Sequence, residues 1–400
     1  MKKVTVIGDI MVEPPFMRQV EQHGIYDFSP SFLPLKAIFT ESDFVIGNLE
    51  TPLAGEESGY TSKIVSFNSP DSLVEALAGI GINAVSTANN HCLDRGYEGL
   101  VRTNEVLDRY GIAHTGTYAA DFAGDRVHFF TVGETRFALI AYTLSTNYGI
   151  NRADPPDDRC VNMLHPLKGG PAIYRPLPKS YYDTLAYVEG LMGRKLEWEE
   201  YTKLKRVMQM PKASVDAFVN EEVLSQCFQQ IEEDYRHARE NADIVLFCPH
   251  SGGQFNEEPG AYTVRVVEKA VELGFDGVFA AHAHTTQKAE LLKGKPCFYS
   301  MGNVSMSPGT FYSVPECLPE YGLAAHLYIE NNAIGKVTFS MFKMVEKDGQ
   351  ALRVIPVDDL YRQLTGEEQT KLSEDVATIH RRVTGRDPEA KEPRKEYDLG

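Results

Sequence analysis

Short apolar runs and amphipathic stretches alternate through the first 145 residues. VTVIGD, DFVIGNLE, INAVSTAN and FALIAYT read as buried strands, whereas SLVEALAGIG and GLVRTNEVLDRYG space their apolar side chains along one helix face. The alternation resumes with ADIVLFCPH, a helix around TVRVVEKAVELG, then DGVFAAHAH and PCFYSMGN. AAHLYIE and GKVTFSMFKMVE predict antiparallel strands about an Asn-rich turn. This alternation predicts an α/β layered sheet, and the polar residues just past the strand ends mark a site.

Residues 150–240 break the pattern. ADPPDDR and YRPLPK are loop-like, while SYYDTLAYVEGLMGRKLEWEEYTKLKRVMQM and VDAFVNEEVLSQCFQQIEEDYRHARENA read as helical and charge-rich. The first suggests an inserted lid, or a surface for a protein partner or self-association. Part of the second serves as a crossover into the next strand. The expected organisation is one domain over residues 1–345, with a largely helical insertion at 150–240. A C-terminal extension, 346–400, carries one surface helix in EEQTKLSEDVATIHRRV.

The composition narrows the function. Of 400 residues 42% are hydrophobic and 24% charged, as in an ordinary globular protein. A formal net charge of −16 argues against nucleic acid or an anionic membrane surface as partner. The six cysteines are scattered with no CxxC pair, which fits reduced thiols rather than a disulfide framework or a zinc ribbon. MKKVTVIGD runs directly into a strand pattern without a signal-peptide core or membrane span, so a cytoplasmic protein is expected.

The strand ends carry the candidate chemistry. They terminate at Asp9, at Asn48 and Glu50, at Asn90 and His91, at His250, and at His282 with His284. In an extended chain alternate side chains share a face, so His282 and His284 are expected to point the same way. Singly, Gly8-Asp9 reads as a turn and Asn90-His91 as a helix cap. Together, Asp, Glu, Asn and three His form an oxygen and nitrogen set suited to Mn²⁺, Fe²⁺ or Zn²⁺. The number of ligands is enough for two ions, which would activate a water for hydrolysis.

The ordered set GD…GNLE…ANNHCLDRG…PHSGG…AHAH…FYSMGN resembles the CapA family of poly-γ-glutamate capsule biosynthesis, a branch of the calcineurin-like metallophosphoesterases. The resemblance covers roughly residues 4–145 and 241–305. It implies a four-layer α/β/β/α metallophosphoesterase-like sandwich with a helical insertion. It also implies that Asp9 and His284 bind a first metal, and Asn90, His250 and His282 a second. Glu50, or less aptly Asn48, would stand where the superfamily has its bridging aspartate. His91 would be the general acid, oriented by Asp94, and Asn303 would hydrogen-bond a substrate oxygen or a ligand carboxylate. Met11 stands where the superfamily has a histidine, and Gln254 where the family has a glutamate. The implied activity is metal-dependent hydrolysis of a small phosphoester by a metal-bound hydroxide. The alternatives are γ-glutamyl amide hydrolysis or transfer, and a non-catalytic accessory role in poly-γ-glutamate-type biosynthesis.

Overall fold

The computed structural model describes residues 1–63, 65–210, 215–310, 312–347 and 350–400, with the side chain of residue 198 outside the description. Fourteen of its strands are labelled in chain order: β1 (Lys2–Ile10), β2 (Phe44–Leu49), β3 (Ala84–Ser86), β4 (Ala113–Thr115), β5 (His128–Val132), β6 (Thr135–Thr143), β7 (Ile244–His250), β8 (Gly277–Phe279), β9 (Ala289–Leu292), β10 (Lys295–Phe298), β11 (Tyr321–Glu330), β12 (Ala333–Val345), β13 (Arg353–Pro356) and β14 (Tyr397–Asp398). The principal helices are α1 (Ser72–Ile80), α2 (Gly96–Arg109), α3 (Lys179–Met192), α4 (Trp198–Val207), α5 (Glu221–Asn241), α6 (Ala261–Leu273), α7 (Val357–Gln363) and α8 (Gly366–Thr384).

Two sheets result. The first runs β13-β12-β11-β1-β2-β3-β4, with β14 paired to β12; the second runs β9-β10-β8-β7-β6-β5. β1 to β4 are mutually parallel, as are β6, β7, β8 and β10. Burial on both faces explains why these strands read as unbroken apolar runs. On β6, Phe137, Leu139 and Ala141 enter the core between the sheets, whereas Ala138, Ile140 and Tyr142 enter the core beneath α5 and α6. On the first sheet Val4, Val6 and Ile46 face the inter-sheet core, while Val45 and Val85 join α1 and Phe16, Phe28 and Phe32 in a third core. The period-two alternation therefore produces four layers, α/β/β/α. The chain after residue 352 also belongs to this body: β13 and β14 extend the first sheet, and Leu372, Val376 and Ile379 of α8 close the inter-sheet core.

The β11–β12 hairpin turns at Asn331 and Asn332, both with positive φ, as the Asn-rich turn predicts. The first inserted stretch is not one helix: it breaks into α3 and α4 at Gly193, whose φ of 65° terminates α3. The second begins only at Glu221, where the Asn220 side chain accepts a hydrogen bond from the Val223 amide. α5 then leads into β7. Among the described residues no helix is long and apolar enough to cross a membrane.

Candidate metal centre

The carboxyl ends of β1, β2, β7 and β8 converge where the two sheets face each other, as parallel strands of packed sheets permit. Gly8 makes the approach possible. A Cβ there would lie 2.0 Å from the Gly302 carbonyl oxygen, which instead accepts the Asp9 amide at 3.0 Å. The β1–β2 register shifts between Val6 and Asp9, a bulge that re-aims the aspartate.

All ten residues singled out from the sequence lie here, none more than 8% exposed. Asp9 accepts the Asn48 amide at 2.7 Å and the His282 backbone N–H at 3.0 Å. His284 Nδ1 lies 3.5 Å from Asp9, and His250 Nδ1 3.8 Å. Glu50 Oε1 is 3.4 Å from His250 Nε2 and 3.6 Å from His284 Nε2. His250 Nε2 is also 2.8 Å from Asn90 Oδ1 and 3.1 Å from His282 Nδ1. Two groups of mutually close donor atoms emerge, Glu50–His250–His282 and Asp9–Glu50–His284, and Glu50 belongs to both.

Asn48 stands apart from the ligand role expected of it. Its amide nitrogen, not its oxygen, faces Asp9 and His250, and its oxygen receives Asn89 at 3.4 Å. The expectation for the HxH pair needs correction in its reason. β8 ends at Phe279, and His282 and His284 are not extended: their φ angles are 106° and 52°. Left-handed backbone at two non-glycine residues costs on the order of 1–3 kcal/mol each and persists only where the surroundings fix it. Here Asp9 holds the His282 amide, Asn303 donates to the His284 carbonyl at 2.9 Å, and Phe255 donates to the Ala283 carbonyl at 2.7 Å. Asn303 also meets His284 Nδ1 at 2.9 Å, so it organises a histidine rather than opening toward solvent.

The electrostatics follow from burial and charge. Burial alone would raise the Asp9 carboxyl, but His284, His250 and Asn48 together hold it well below the usual carboxylate range. Burial works against a charged His284, yet the Glu50 and Asp9 carboxylates lift it to about 9. His282 is pushed far down by burial, then by its His250 and His284 neighbours. His91 is buried too, but Asp94 at 2.6 Å raises its proton affinity above the ordinary value. Asp94 accepts the Phe67 amide with the same oxygen at 2.7 Å, and the Phe67 ring lies 4.2 Å from the imidazole. The Cys92 thiol is pushed up to about 12 by burial, which disfavours the thiolate.

A cavity of about 160 Å³ opens over the cluster, walled by Asn90, His91, His284, Phe67, Gln254 and Tyr312. Met11 also faces it, and so do Asn147 and, at the start of the insertion, Ile150. Among the described residues no Lys or Arg lines it. Phe67 and Tyr312 carried no recognisable sequence signal. Tyr312 belongs to a loop fixed by buried Glu13, which accepts the Ser307 amide at 2.9 Å and the Thr310 hydroxyl at 2.8 Å. Arg206 of α4 donates to the Ser313 carbonyl, so the insertion packs beside this loop.

The donor set fits a divalent ion. Both Glu50 oxygens are buried without a hydrogen-bond partner; Oε1 has His284 at 3.6 Å as its counter-charge, and a divalent ion in place of that proton would satisfy the carboxylate as well. Carboxylate, imidazole and amide oxygen, with no thiolate, are the donors of Mn²⁺, Fe²⁺ or Zn²⁺ sites.

Residues 3–307 match the family described as bacterial capsule synthesis protein PGA_cap. An uncharacterized protein of Sinorhizobium fredii is 24% identical over 68% of this chain and 61% of its own length. The PGA biosynthesis protein CapA of Bacillus subtilis is 20% identical, over 79% of this chain and 66% of its own. A probable polyglutamine synthesis accessory protein of Mycobacterium tuberculosis is 23% identical over 66% and 56% respectively. The chain thus spans less than two thirds of the length of these relatives. A solved 5'-nucleotidase from Candida albicans aligns at 10% identity and a TM-score of 0.42, covering 95% of this chain and 57% of that one.

Proposed function

This chain belongs to the bacterial capsule synthesis protein family PGA_cap, and on that premise we propose that it is a metal-dependent hydrolase of small phosphoesters acting at the Asp9–Glu50–His250–His282–His284 cluster. The observation that carries the reading is Glu50: neither buried oxygen has a hydrogen bond, and Oε1 lies between His250 and His284, the second of which walls the cavity. Asp9, Glu50 and His284 would hold one ion and Glu50, Asn90, His250 and His282 another. Such ions supply Lewis-acid activation of a water and of the substrate oxygen. Asn48 then serves by fixing Asp9 rather than as a ligand. Because the cavity wall carries no Lys or Arg among the described residues, an anionic substrate would draw its neutralising charge from the metal centre.

His91 supports the proton-transfer half of the reading. Its Nδ1 is occupied by Asp94, which leaves Nε2 to protonate a departing oxygen, and the carboxylate keeps the imidazole charged closer to neutral pH than burial alone would. Phe67 and Asn89 hold the dyad: Phe67 through its amide to Asp94, Asn89 by accepting the His91 amide at 3.1 Å. Asn303 orients His284.

A second reading, an accessory protein of polyglutamate-type capsule biosynthesis without turnover, is favoured by the cavity facing Met11 and Gln254 and by the accessory role in the name of the mycobacterial relative. Metal content and turnover of p-nitrophenyl phosphate and bis-p-nitrophenyl phosphate with Mn²⁺ separate the two. Wild type should hold about two ions and turn over an ester, and the His282→Ala/His284→Ala variant should lose both. Metal without turnover of any ester or γ-glutamyl amide would favour the accessory reading, and metal retained in the double variant would refute the site.

A further inference from the structure

We infer that Arg382, on the C-terminal helix beyond the residues matched by the family, is a positioning residue for the metal-binding histidine loop. The inference rests on the metal reading above. Its guanidinium is only 6% exposed. One terminal nitrogen donates to the Thr285 hydroxyl at 3.0 Å and to the Cys317 carbonyl at 2.8 Å, with the Thr286 hydroxyl at 3.3 Å. The other donates to Glu257 at 2.6 Å. Thr285 and Thr286 directly follow His284 and are fully buried. Glu257 lies in the segment that follows His250.

One planar fork therefore ties together both histidine-bearing loops and the 317 turn, a geometry that Arg satisfies and Lys does not. The loop needs such a tie. His282 and His284 sit in left-handed backbone, and a short extended strand cannot hold them there. Asn303 grips the His284 carbonyl from one side, and Arg382 grips the next two residues from the other. The Thr285 hydroxyl passes the constraint on, donating to the Cys317 carbonyl at 2.6 Å, and the Cys317 thiol reaches the Phe255 carbonyl at 3.1 Å. The Phe255 amide in turn holds the Ala283 carbonyl. The helix thus sets the direction of His284 without touching substrate or ion.

The test compares the full-length wild type with Arg382→Gln, Arg382→Lys and a control, Arg381→Gln, whose side chain is 55% exposed and pairs with Asp387 at 3.1 Å. Mn²⁺ affinity, the visible spectrum of the Co²⁺-loaded protein and the melting temperature are measured for each. Arg382→Gln should bind Mn²⁺ about 10–100-fold more weakly, the usual effect of losing a partner that orients a ligand, with shifted Co²⁺ bands. Arg382→Lys should recover only part of the affinity, and Arg381→Gln should stay within about twofold of wild type. If Arg382→Gln does not fold, Thr285→Val keeps the Arg382–Glu257 pair while removing the hydroxyl, and should weaken Mn²⁺ binding in the same direction. Unchanged affinity and Co²⁺ spectrum, even with a lowered melting temperature, would reduce Arg382 to an anchor for its helix and overturn the inference. A wild type that takes up no Mn²⁺ would overturn the metal reading and this inference with it.

Discussion

Glu50 belongs to both donor groups, whereas His282 belongs to one, and this asymmetry makes a quantitative prediction. An ion present at about 100 times its dissociation constant stabilises the folded state by about 2.7 kcal/mol. With an unfolding entropy of about 2.1 cal/mol/K per residue, a chain of 400 residues gains roughly 3 °C in melting temperature per ion. Two ions should therefore raise the wild type by about 6 °C under saturating Mn²⁺. His282→Ala disables one group and should keep about 3 °C. Glu50→Gln weakens both groups with a nearly isosteric change and should keep less than about 1 °C. Thermal melts by circular dichroism, with and without Mn²⁺ and against an EDTA blank, read all three values. A Glu50→Gln variant that responds like wild type, or a His282→Ala variant that loses the whole response while Glu50→Gln retains it, would refute the shared-ligand geometry.

Further predictions follow from other contacts. On the proposed reading, in which His91 transfers a proton and holds no ion, His91→Asn should lower kcat by about 10²–10⁴ while metal content stays unchanged. Gly8→Ala would force a Cβ to within 2.0 Å of the Gly302 carbonyl; a loss of about 2–3 kcal/mol by denaturant titration, together with weakened Mn²⁺ binding, is expected. Glu396 is depressed to about 2: burial opposes the charge, but Lys3 at 2.5 Å and the Tyr328 and Thr338 hydroxyls at 2.7 Å stabilise it. A depressed folded-state value means that its stabilisation is complete above the ordinary value of 4.5 and is lost as pH falls through about 2. Glu396→Gln should flatten the melting temperature across that window, and an unchanged acid profile would remove Glu396 from the account.

The layered architecture was readable because its strands are buried on both faces: runs such as FALIAYT and ADIVLFCPH admit few other readings. The convergence of Asp9, Glu50, His250 and the HxH pair was readable for the same reason, since parallel strands deliver their ends to one edge. What escaped the sequence lies in backbone detail and distant contacts. The HxH pair converges through two residues with positive φ rather than through strand alternation, a conformation that only glycine adopts routinely and that a histidine pair does not announce. Asn48 turns its nitrogen inward, toward Asp9 and His250, an orientation that the residue type does not reveal. Gly8 owes its necessity to Gly302, nearly three hundred residues away. Arg382 sits on a helix whose pattern announces only an amphipathic face.

The seam between the sheets also bears on how long the protein lasts. Its donors run from Asp9 on one sheet to His284 beside the other, so a single ion would bridge elements far apart along the chain, adding to the hydrogen bonds that Asp9 already makes with His282 and Gly302. Sheets held in this way part only after ligands are stripped, whereas the same contacts form late as the chain closes its longest loops. Interactions that are absent from the folding transition state slow unfolding and leave folding largely untouched. Metal-loaded and metal-free protein should therefore refold at similar rates but differ in half-life at elevated temperature. In the cell, the supply of the ion would then govern the turnover of the protein as well as its chemistry.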